Sequence, residues 1–242
     1  MKSAVKDFFL ERLYGFLPAS MLDWPGRIAS VFFISGCNFR CPYCHNPELV
    51  EPQEGGFYWS ELESFLRERE GWLDGVVITG GEPTLYPGLL ELCRRLKWAG
   101  LGVKLDTNGS RPEVLQDLLG EGLVDFVAMD VKTSLERYPQ VVRRPFPHDF
   151  LAERIRESIG LILGWGGEHE FRCTVVPGLV GEEDLWRVAD LLRGGRKLVL
   201  QAFRGEHTLD PEWRGRQGYP PDRLRDWAKG LSSILPVEVR GI

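Results

Sequence analysis

Apolar, β-branched stretches alternate with amphipathic stretches along most of the chain, and this alternation restricts the fold more than any other feature. It predicts six strands, at residues 28–34, 76–79, 103–106, 126–130, 171–176 and 198–202. A helix is predicted after each strand, and these helices cover a segment that begins at Ser60 and residues 89–98, 112–119, 150–163, 182–192 and about 222–235. Strands separated by helices form a parallel sheet, so an α/β fold is predicted. Right-handed crossovers would curl the sheet into an open six-stranded partial barrel, and periodicity does not separate this from a doubly wound open sheet.

The chain is long enough to bury one large core, so a single domain, 1–242, is predicted. Its sheet and helices occupy about 27–203. Residues 1–27 contain turn residues and form a short lead-in to the first strand, whereas 204–242 form a C-terminal extension with one helix. At the start of the first helix, Ser60 and Glu63 have the spacing of a capping box, in which Ser60 bonds to the Glu63 amide.

Composition disfavours several classes of function. The formal net charge is -5 and no long run of Lys or Arg occurs, so a nucleic-acid partner is not expected. No signal peptide and no apolar stretch of membrane-spanning length is evident, which predicts a cytoplasmic protein with reduced cysteines and no membrane partner. Cys93 and Cys173 fall in a helix and a strand pattern, so both are predicted to be core residues.

The other three cysteines, Cys37, Cys41 and Cys44, have C-x3-C-x2-C spacing in the loop that leaves the first predicted strand. In α/β proteins, chemistry is placed at the carboxyl ends of strands. Three thiols from one loop can hold three irons of an iron-sulfur cube and leave the fourth open to a ligand that is not protein. The alternative is a zinc site with His45 as the fourth ligand.

The segment G-C-N-F-R-C-P-Y-C-H-N-P at 36–47 resembles the cluster motif of the radical S-adenosylmethionine (radical SAM) enzymes, with Tyr43 as the aromatic residue before the third cysteine. In its extended form it is similar to the activating enzymes of glycyl radical enzymes. With Asp23-Trp24-Pro25-Gly26 and the short chain, it is most similar to anaerobic ribonucleoside-triphosphate reductase activating proteins, which are related to pyruvate formate-lyase activating enzyme. The resemblance covers about 15–202 and implies a partial (β/α)6 barrel.

The resemblance implies a [4Fe-4S] cluster on Cys37, Cys41 and Cys44, with S-adenosylmethionine at its open iron. Later strand ends carry the other family motifs, although a Gly-Gly pair alone is an ordinary turn and an arginine on a strand is an ordinary surface ion pair. Residues implied to bind S-adenosylmethionine are Tyr43, Gly80, Gly81, Glu82, Asp130, Val131, Lys132, Arg172 and Gln201. Activating enzymes often have a histidine at the position of Gln201, and His207, beyond the strand, is a poorer substitute.

Two aspartates end neighbouring predicted strands, Asp106 the third and Asp130 the fourth. Their carboxylates would repel unless a cation or hydrogen bonds satisfied them. Taken alone they are ordinary caps or turn residues. In the pyruvate formate-lyase activase branch the corresponding groups bind a monovalent cation. The resemblance therefore implies such a cation at Asp106, Thr107, the Ala128 carbonyl and Asp130.

The implied function is reductive cleavage of S-adenosylmethionine at the cluster and abstraction of a hydrogen from a glycine of a partner glycyl radical enzyme. Anaerobic ribonucleotide reductase is the expected partner, and a flavodoxin or ferredoxin the expected low-potential electron donor. No side chain is expected to act as a general base. Two loops rich in Arg and aromatic residues, 143–147 and 211–221, are either partner contacts or solvated loops.

Three alternatives remain from the sequence. Pyruvate formate-lyase could be the partner. The chain could instead act on a small molecule, as 7-carboxy-7-deazaguanine synthases do, but in those enzymes Asp-Thr usually follows the third cysteine, where this chain has His45-Asn46. A non-catalytic, zinc-stabilised binding protein is the third alternative.

Overall fold

The computed structural model describes residues 7–147 and 149–242. Its strands are β1 (Phe9–Leu10), β2 (Leu13–Ser20), β3 (Ala29–Ile34), β4 (Phe57–Tyr58), β5 (Gly75–Gly80), β6 (Gly102–Thr107), β7 (Phe126–Asp130), β8 (Glu168–Val175), β9 (Leu198–Ala202) and β10 (Val237–Arg240). Its helices are α1 (Trp59–Arg67), α2 (Leu89–Trp98), α3 (Pro112–Gly120), α4 (Tyr138–Val142), α5 (Phe150–Trp165), α6 (Glu182–Leu191) and α7 (Pro221–Leu231). All six strands predicted from apolar, β-branched runs are present, as β3 and β5 to β9.

The main sheet follows the order of the chain. Its strand order is β10-β9-β8-β7-β6-β5-β3-β2. All neighbours pair in parallel except β2, which is antiparallel to β3. A doubly wound sheet reverses its order at a switch point, and no reversal occurs among the described strands. The chain is therefore a singly wound partial barrel of six β/α units, and the doubly wound alternative is wrong.

The lead-in contributes more structure than the sequence indicated. Strand β2 covers one edge of the sheet, and β1 pairs with β4 in a separate two-stranded sheet. Gly15 and Pro18, which the sequence pattern assigned to turns of the lead-in, lie inside β2. The pairing of β2 with β3 shifts register close to both residues, between Leu13 and Gly15 and between Leu17 and Ser20. Edge strands and bulges tolerate proline and glycine because part of their backbone needs no ladder partner.

The cap of α1 differs from the prediction. The helix begins at Trp59, and the carboxylate of Glu61 accepts a hydrogen bond from the backbone N–H of Tyr58 at 2.8 Å. Ser60 lies inside the first turn, and its hydroxyl donates to Asp7 at 2.5 Å. The prediction of a capping box at Ser60 and Glu63 is therefore wrong. The cap lies two residues earlier, at Tyr58 and Glu61, because the Ser60 hydroxyl is bonded to the carboxylate of Asp7.

Side chains on the two faces of the sheet have different surroundings. Because side chains alternate along a strand, one set, including Phe32, Ile78, Leu105 and Phe171, enters the large apolar core shared with the helices. The other set faces the barrel interior, and it is apolar only near the starts of the strands. No helix among the described residues has both the length and the apolar character to cross a membrane.

The indole of Trp24 closes the amino-terminal end of the barrel. It packs with Ala29, Val31 and Val77 and meets the ring of Phe126 edge to face, with 6.3 Å between the centroids. A side chain on either Gly75 or Gly102, at the starts of β5 and β6, would collide with this indole. These glycines therefore leave room for Trp24, which gives the Asp-Trp-Pro-Gly motif a structural role.

We expect Trp24→Ala to lower the free energy of unfolding by about 3–5 kcal/mol, because it leaves a large cavity in a buried layer. Trp24 is 2% exposed, whereas Trp98 is 96% exposed. Trp98→Ala is the matched control and should change stability by less than about 0.5 kcal/mol. Urea unfolding followed by circular dichroism measures both. Equal losses in the two variants would contradict the assigned role of Trp24.

Candidate functional site

One cavity of about 270 Å³ opens at the carboxyl ends of the barrel strands. It is lined by thirteen of the residues predicted from the sequence, namely Cys37, Cys41, Tyr43, Cys44, Gly80, Gly81, Glu82, Asp106, Thr107, Asp130, Lys132, Arg172 and Gln201. Parallel strands end at the same edge of a sheet, which is why motifs far apart in sequence meet here. The predicted strand-end site is thus assembled in one place.

Three predicted residues do not line this cavity. Val131 is fully buried, and its backbone N–H donates to the Arg172 carbonyl at 2.8 Å. Ala128 is also fully buried, within β7. The ring of His207 lies 3.3 Å from the carboxylate of Glu48, at an exposed position. Of the two residues considered for the sixth strand, the cavity includes Gln201 and leaves out His207.

The loop that carries the three thiols, which we call the cysteine loop (residues 36–50), is fixed by backbone hydrogen bonds. Its two ends are joined by bonds from the Gly36 and Cys37 N–H groups to the carbonyls of Leu49 and Val50, each 2.8 Å long. The guanidinium of Arg40 donates to the carbonyl of Cys37 at 2.7 Å. Arg40 also donates to the Phe39 carbonyl at 2.8 Å. The thiols are therefore presented by a rigid loop.

All three thiols are neutral when no metal is bound. Burial raises the pKa of Cys37 to about 11 and that of Cys41 to about 12, and it raises the pKa of Cys44 as well. Metal binding requires thiolates, so a metal must displace their protons. The Phe39 N–H points at the Cys37 sulfur from 3.4 Å, and an N–H of this kind stabilises a thiolate once it has formed.

His45 does not complete a zinc site with the three cysteines. Its ring stacks on Phe203, with 6.4 Å between the centroids, and its Nε2 lies 3.1 Å from the Arg204 carbonyl oxygen, to which it donates. Within residues 7–147 and 149–242, no three His, Cys, Asp or Glu side chains converge as ligands of a single ion would. A Cys3His zinc site requires such convergence.

The Gly80-Gly81 turn lies against the cysteine loop. Gly80 has a φ of +126°, and a Cβ there would lie 2.3 Å from the Ile34 carbonyl oxygen. A Cβ on Gly81 would lie 2.5 Å from the Gly36 carbonyl oxygen. Only glycine allows this approach at both positions. The Gly80-Gly81 turn therefore does more than reverse the chain, because it packs its backbone against the backbone of the cysteine loop at the cavity.

Glu82 is fully buried and accepts four hydrogen bonds from the protein, three at Oε1 and one at Oε2. Its carboxylate accepts from the Thr107 hydroxyl at 2.7 Å and from the Asn108 N–H at 2.6 Å, and also from the N–H and hydroxyl of Thr84. Burial raises its pKa, and these hydrogen bonds oppose the rise. Glu82 thus joins the Gly-Gly turn to the end of β6. Binding of the ammonium of S-adenosylmethionine by Glu82 stays a prediction.

An ion-pair network forms the floor of the cavity. Arg172 lies between the two aspartates, with Nη1 3.0 Å from Asp106 and Nε 2.8 Å from Asp130. Lys132 contacts the other oxygen of Asp130 at 2.9 Å, and Lys104 contacts Asp106. Burial opposes ionisation of both carboxyls, but the neighbouring cations hold the pKa of each below its usual value. Asp106, Asp130, Lys132 and Arg172 are therefore charged at neutral pH.

The structure adds wall residues that the prediction omitted, namely Phe39, Thr79, Asn108 and Thr174. Asn108 donates to the side-chain oxygen of Asn38 at 3.0 Å and lies 4.0 Å from the Cys37 sulfur, so it ties the β6 end to the cysteine loop. One signal was present in the sequence, because asparagine occurs only at 38, 46 and 108. Thr174 could have been inferred from Arg172, since residues two apart on a strand share a face.

Comparison with known proteins decides the family. The profile of the Radical SAM superfamily matches residues 31–192. The chain is also 32% identical, over 219 residues, to a Methanocaldococcus jannaschii protein whose name assigns it to the glycyl-radical enzyme activating enzymes, and the match covers 89% of each protein. The chain is a radical SAM enzyme of the glycyl-radical activating family. Pyruvate formate-lyase-activating enzyme of Clostridium pasteurianum is 29% identical over 211 residues, 82% of this chain and 83% of the relative.

Solved radical SAM structures share the fold. Streptococcus suis SuiB bound to its precursor peptide SuiA matches with a TM-score of 0.66 and 14% identity, over 87% of this chain and 48% of that one. The chain spans about half the length of that structure. At this identity the match shows the fold alone, which is the partial barrel that the sequence predicted.

The radical SAM family implies a [4Fe-4S] cluster and S-adenosylmethionine, and the cavity fits both. Its thiols are the donors that iron-sulfur clusters use, and they share one cavity with the Gly-Gly turn. The hydroxyl of Tyr43, a residue of the cavity wall, is the one buried side-chain polar atom among the described residues without a hydrogen-bond partner. Such an atom usually indicates a missing ligand or water. The residues implied for a monovalent cation do not fit one, because the carboxylates of Asp106 and Asp130 are already paired with cationic side chains.

Proposed function

We propose that the chain activates a glycyl radical enzyme, with anaerobic ribonucleotide reductase as the partner. The observation that carries the proposal is the single cavity in which three thiols, the Gly80-Gly81 turn and a charged floor meet at the open end of a radical SAM barrel. The Asp23-Trp24-Pro25-Gly26 motif and the length of 242 residues support the ribonucleotide reductase branch. A low-potential flavodoxin or ferredoxin would supply the electron, and thiols that must stay reduced support a cytoplasmic location.

Cys37, Cys41 and Cys44 would hold the [4Fe-4S] cluster, and the cavity beside them would hold S-adenosylmethionine. When bound, the cluster supplies one electron at low potential, which allows reductive cleavage of the sulfonium. The role of the side chains is then to position the cofactor. Arg172 would bind the cofactor carboxylate, Lys132 would contact the ribose, and Gln201 would contact the adenine or the ribose. Because no side chain donates or removes a proton in this scheme, the protein contributes orientation and exclusion of water.

The rim of the cavity supports a macromolecular partner. The ring of Phe146 meets that of Phe39 edge to face, with 6.0 Å between the centroids, and Arg143 pairs with Asp210 at 2.6 Å. The two loops that were either partner contacts or solvated loops are thus joined to the cysteine loop, the first through Phe146 and the second through Asp210 just before it, whose backbone N–H donates to the Pro42 carbonyl at 3.0 Å. We assign them to partner contact, because a peptide that enters the cavity must pass this rim.

The test is anaerobic incubation of the reduced, reconstituted protein with S-adenosylmethionine and anaerobic ribonucleotide reductase. Electron paramagnetic resonance should show a glycyl radical, and a partner whose reactive glycine is changed to alanine should show none. Pyruvate formate-lyase in a parallel incubation compares the two partners. If cofactor cleavage occurs but neither partner acquires a radical, the proposal is wrong and a small-molecule substrate becomes the better interpretation.

A further inference from the structure

Both carboxylate oxygens of Asp106 already have partners within the protein. One of its carboxylate oxygens is in contact with the ammonium of Lys104. The other accepts from Arg172 Nη1 at 3.0 Å and from the Thr79 hydroxyl at 3.2 Å. A monovalent cation at this carboxylate would have to displace a charged donor or share an oxygen with one. Asp106 therefore already has the positive partners that a bound ion would provide.

The other groups implied for a cation are occupied in the same way. Both oxygens of Asp130 accept from cations, one from Arg172 Nε at 2.8 Å and one from Lys132 Nζ at 2.9 Å. The Thr107 hydroxyl donates to Glu82 at 2.7 Å and accepts from the Gly109 N–H at 3.1 Å. Ala128 lies outside the cavity lining. The side-chain oxygens of Asp106, Asp130 and Thr107 implied by the family resemblance thus already have partners in the protein.

Lys104 is held where a cation would lie. It precedes Asp106 by two residues on β6, so both side chains point into the barrel interior. Lys104 is 1% exposed and its ammonium contacts Asp106. The centroid of the Phe126 ring lies 5.7 Å from the Lys104 ammonium. A lysine is almost never buried to this extent unless it is paired. Its ammonium is therefore a permanent part of the site.

The charge balance of the floor suits an anionic ligand. Three cations, Lys104, Lys132 and Arg172, are paired with two carboxylates, Asp106 and Asp130, so the network carries one surplus positive charge. The carboxylate of an amino acid would neutralise that surplus. Without Lys104 the same groups would sum to zero, and an added cation would be needed to restore the surplus.

We propose that Lys104 is a built-in counter-cation that replaces a bound sodium or potassium ion, so that the cofactor carboxylate binds without any added monovalent cation. The proposal rests on the proposed S-adenosylmethionine site. It makes Lys104 a positioning residue, because its ammonium fixes Asp106 and, through Arg172, the orientation of the groups that face the cofactor.

The experiment is calorimetric titration of the reconstituted holoenzyme with S-adenosylmethionine in potassium, sodium and tetramethylammonium salts at one fixed ionic strength. Tetramethylammonium is too large to bind between two carboxylates. The wild-type dissociation constant should be the same within about twofold in the three salts. A wild-type protein that binds in potassium and loses about tenfold or more in tetramethylammonium would overturn the proposal. Absence of binding in every salt would instead overturn the proposed function.

Two variants make the test specific to Lys104. Lys104→Met removes the ammonium and should bind the cofactor about tenfold more weakly in tetramethylammonium than in potassium, since a charge-assisted contact must then come from the solution. Lys104→Arg keeps the charge and should remain indifferent to the salt, whatever its absolute affinity. A Lys104→Met protein that is equally indifferent would contradict the role of Lys104.

A second readout does not depend on binding affinity. Crystals soaked in thallium(I), which substitutes for potassium, should show no anomalous peak at Asp106 in the wild-type protein. A peak within bonding distance of Asp106 is expected in Lys104→Met. A wild-type peak at that position would show that the ion and the lysine coexist, and the proposal would be wrong.

Discussion

Cys41→Ala is expected to abolish cluster binding and, with it, cofactor cleavage. Cys41 is 7% exposed at the wall of the cavity, where it supplies the middle thiol of the C-x3-C-x2-C motif. A cube held by only two thiols has a second open iron, and the cluster is then lost or degraded. Loss of an outer-shell partner lowers metal affinity 10–100-fold, so loss of a thiol ligand should exceed about 100-fold. Iron and sulfide analysis after anaerobic reconstitution measures the effect.

Cys93→Ala is the matched control for this change. Cys93 is equally buried, in α2, and burial raises the pKa of its thiol to about 12, as it does for Cys41. It lies in the apolar core and does not line the cavity. Cys93→Ala should therefore bind iron and sulfide as the wild-type protein does. If Cys41→Ala retained the cluster while Cys93→Ala lost it, the assigned ligand set would be wrong.

Arg172→Met should lower the free energy of unfolding by about 3 kcal/mol at neutral pH, because it removes the shared partner of two partly buried carboxylates, whose side chains are 12% and 26% exposed, and leaves each undercompensated. The same change should abolish detectable binding of S-adenosylmethionine. Arg225→Met is the control, since Arg225 forms an exposed pair with Asp222 and its side chain is 58% exposed. An exposed pair of this kind contributes at most about 1 kcal/mol.

The loss in Arg172→Met should depend on pH. Arg172 helps hold the pKa of Asp106 and of Asp130 below the unfolded value of about 3.9. A carboxyl whose folded pKa is lowered contributes stability above its unfolded pKa and loses it as the pH falls through the folded pKa. The free energy of unfolding of the wild-type protein should therefore exceed that of the variant most near pH 7. The difference should narrow below about pH 4. A difference that stayed constant from pH 7 to pH 3 would contradict the assigned ion pairs.

Much of the fold and of the site followed from local sequence patterns. Strands β3 and β5 to β9 were predictable because buried parallel strands are continuous apolar runs. Their carboxyl ends meet at one edge, so the sequence alone predicts that Cys37, Gly80 and Asp130 lie together. The singly wound order could not be derived from periodicity, since helices of the same pattern fit either face of a sheet. It came from the family resemblance and is confirmed by the strand order.

The missed features depend on contacts between distant residues. Ser60 was assigned as a cap, but Asp7, 53 residues away, accepts its hydroxyl hydrogen. Strand β2 was missed because Gly15 and Pro18 resemble turn residues, and only the pairing with β3 shows that they lie at an irregular edge. Lys104 looked like an ordinary strand residue. Its importance depends on Arg172, 68 positions later, which shares Asp106 with it.

The position of Trp24 also bears on the kinetics of turnover. Because its indole fills the amino-terminal end of the barrel, the cavity opens at the carboxyl ends of the strands, where the proposed partner would dock. If that partner covers the opening, we expect the products of one cycle to be exchanged for fresh cofactor only slowly while it remains docked. Release of the activated protein should then precede rapid reloading, so its dissociation rate would limit repeated activation.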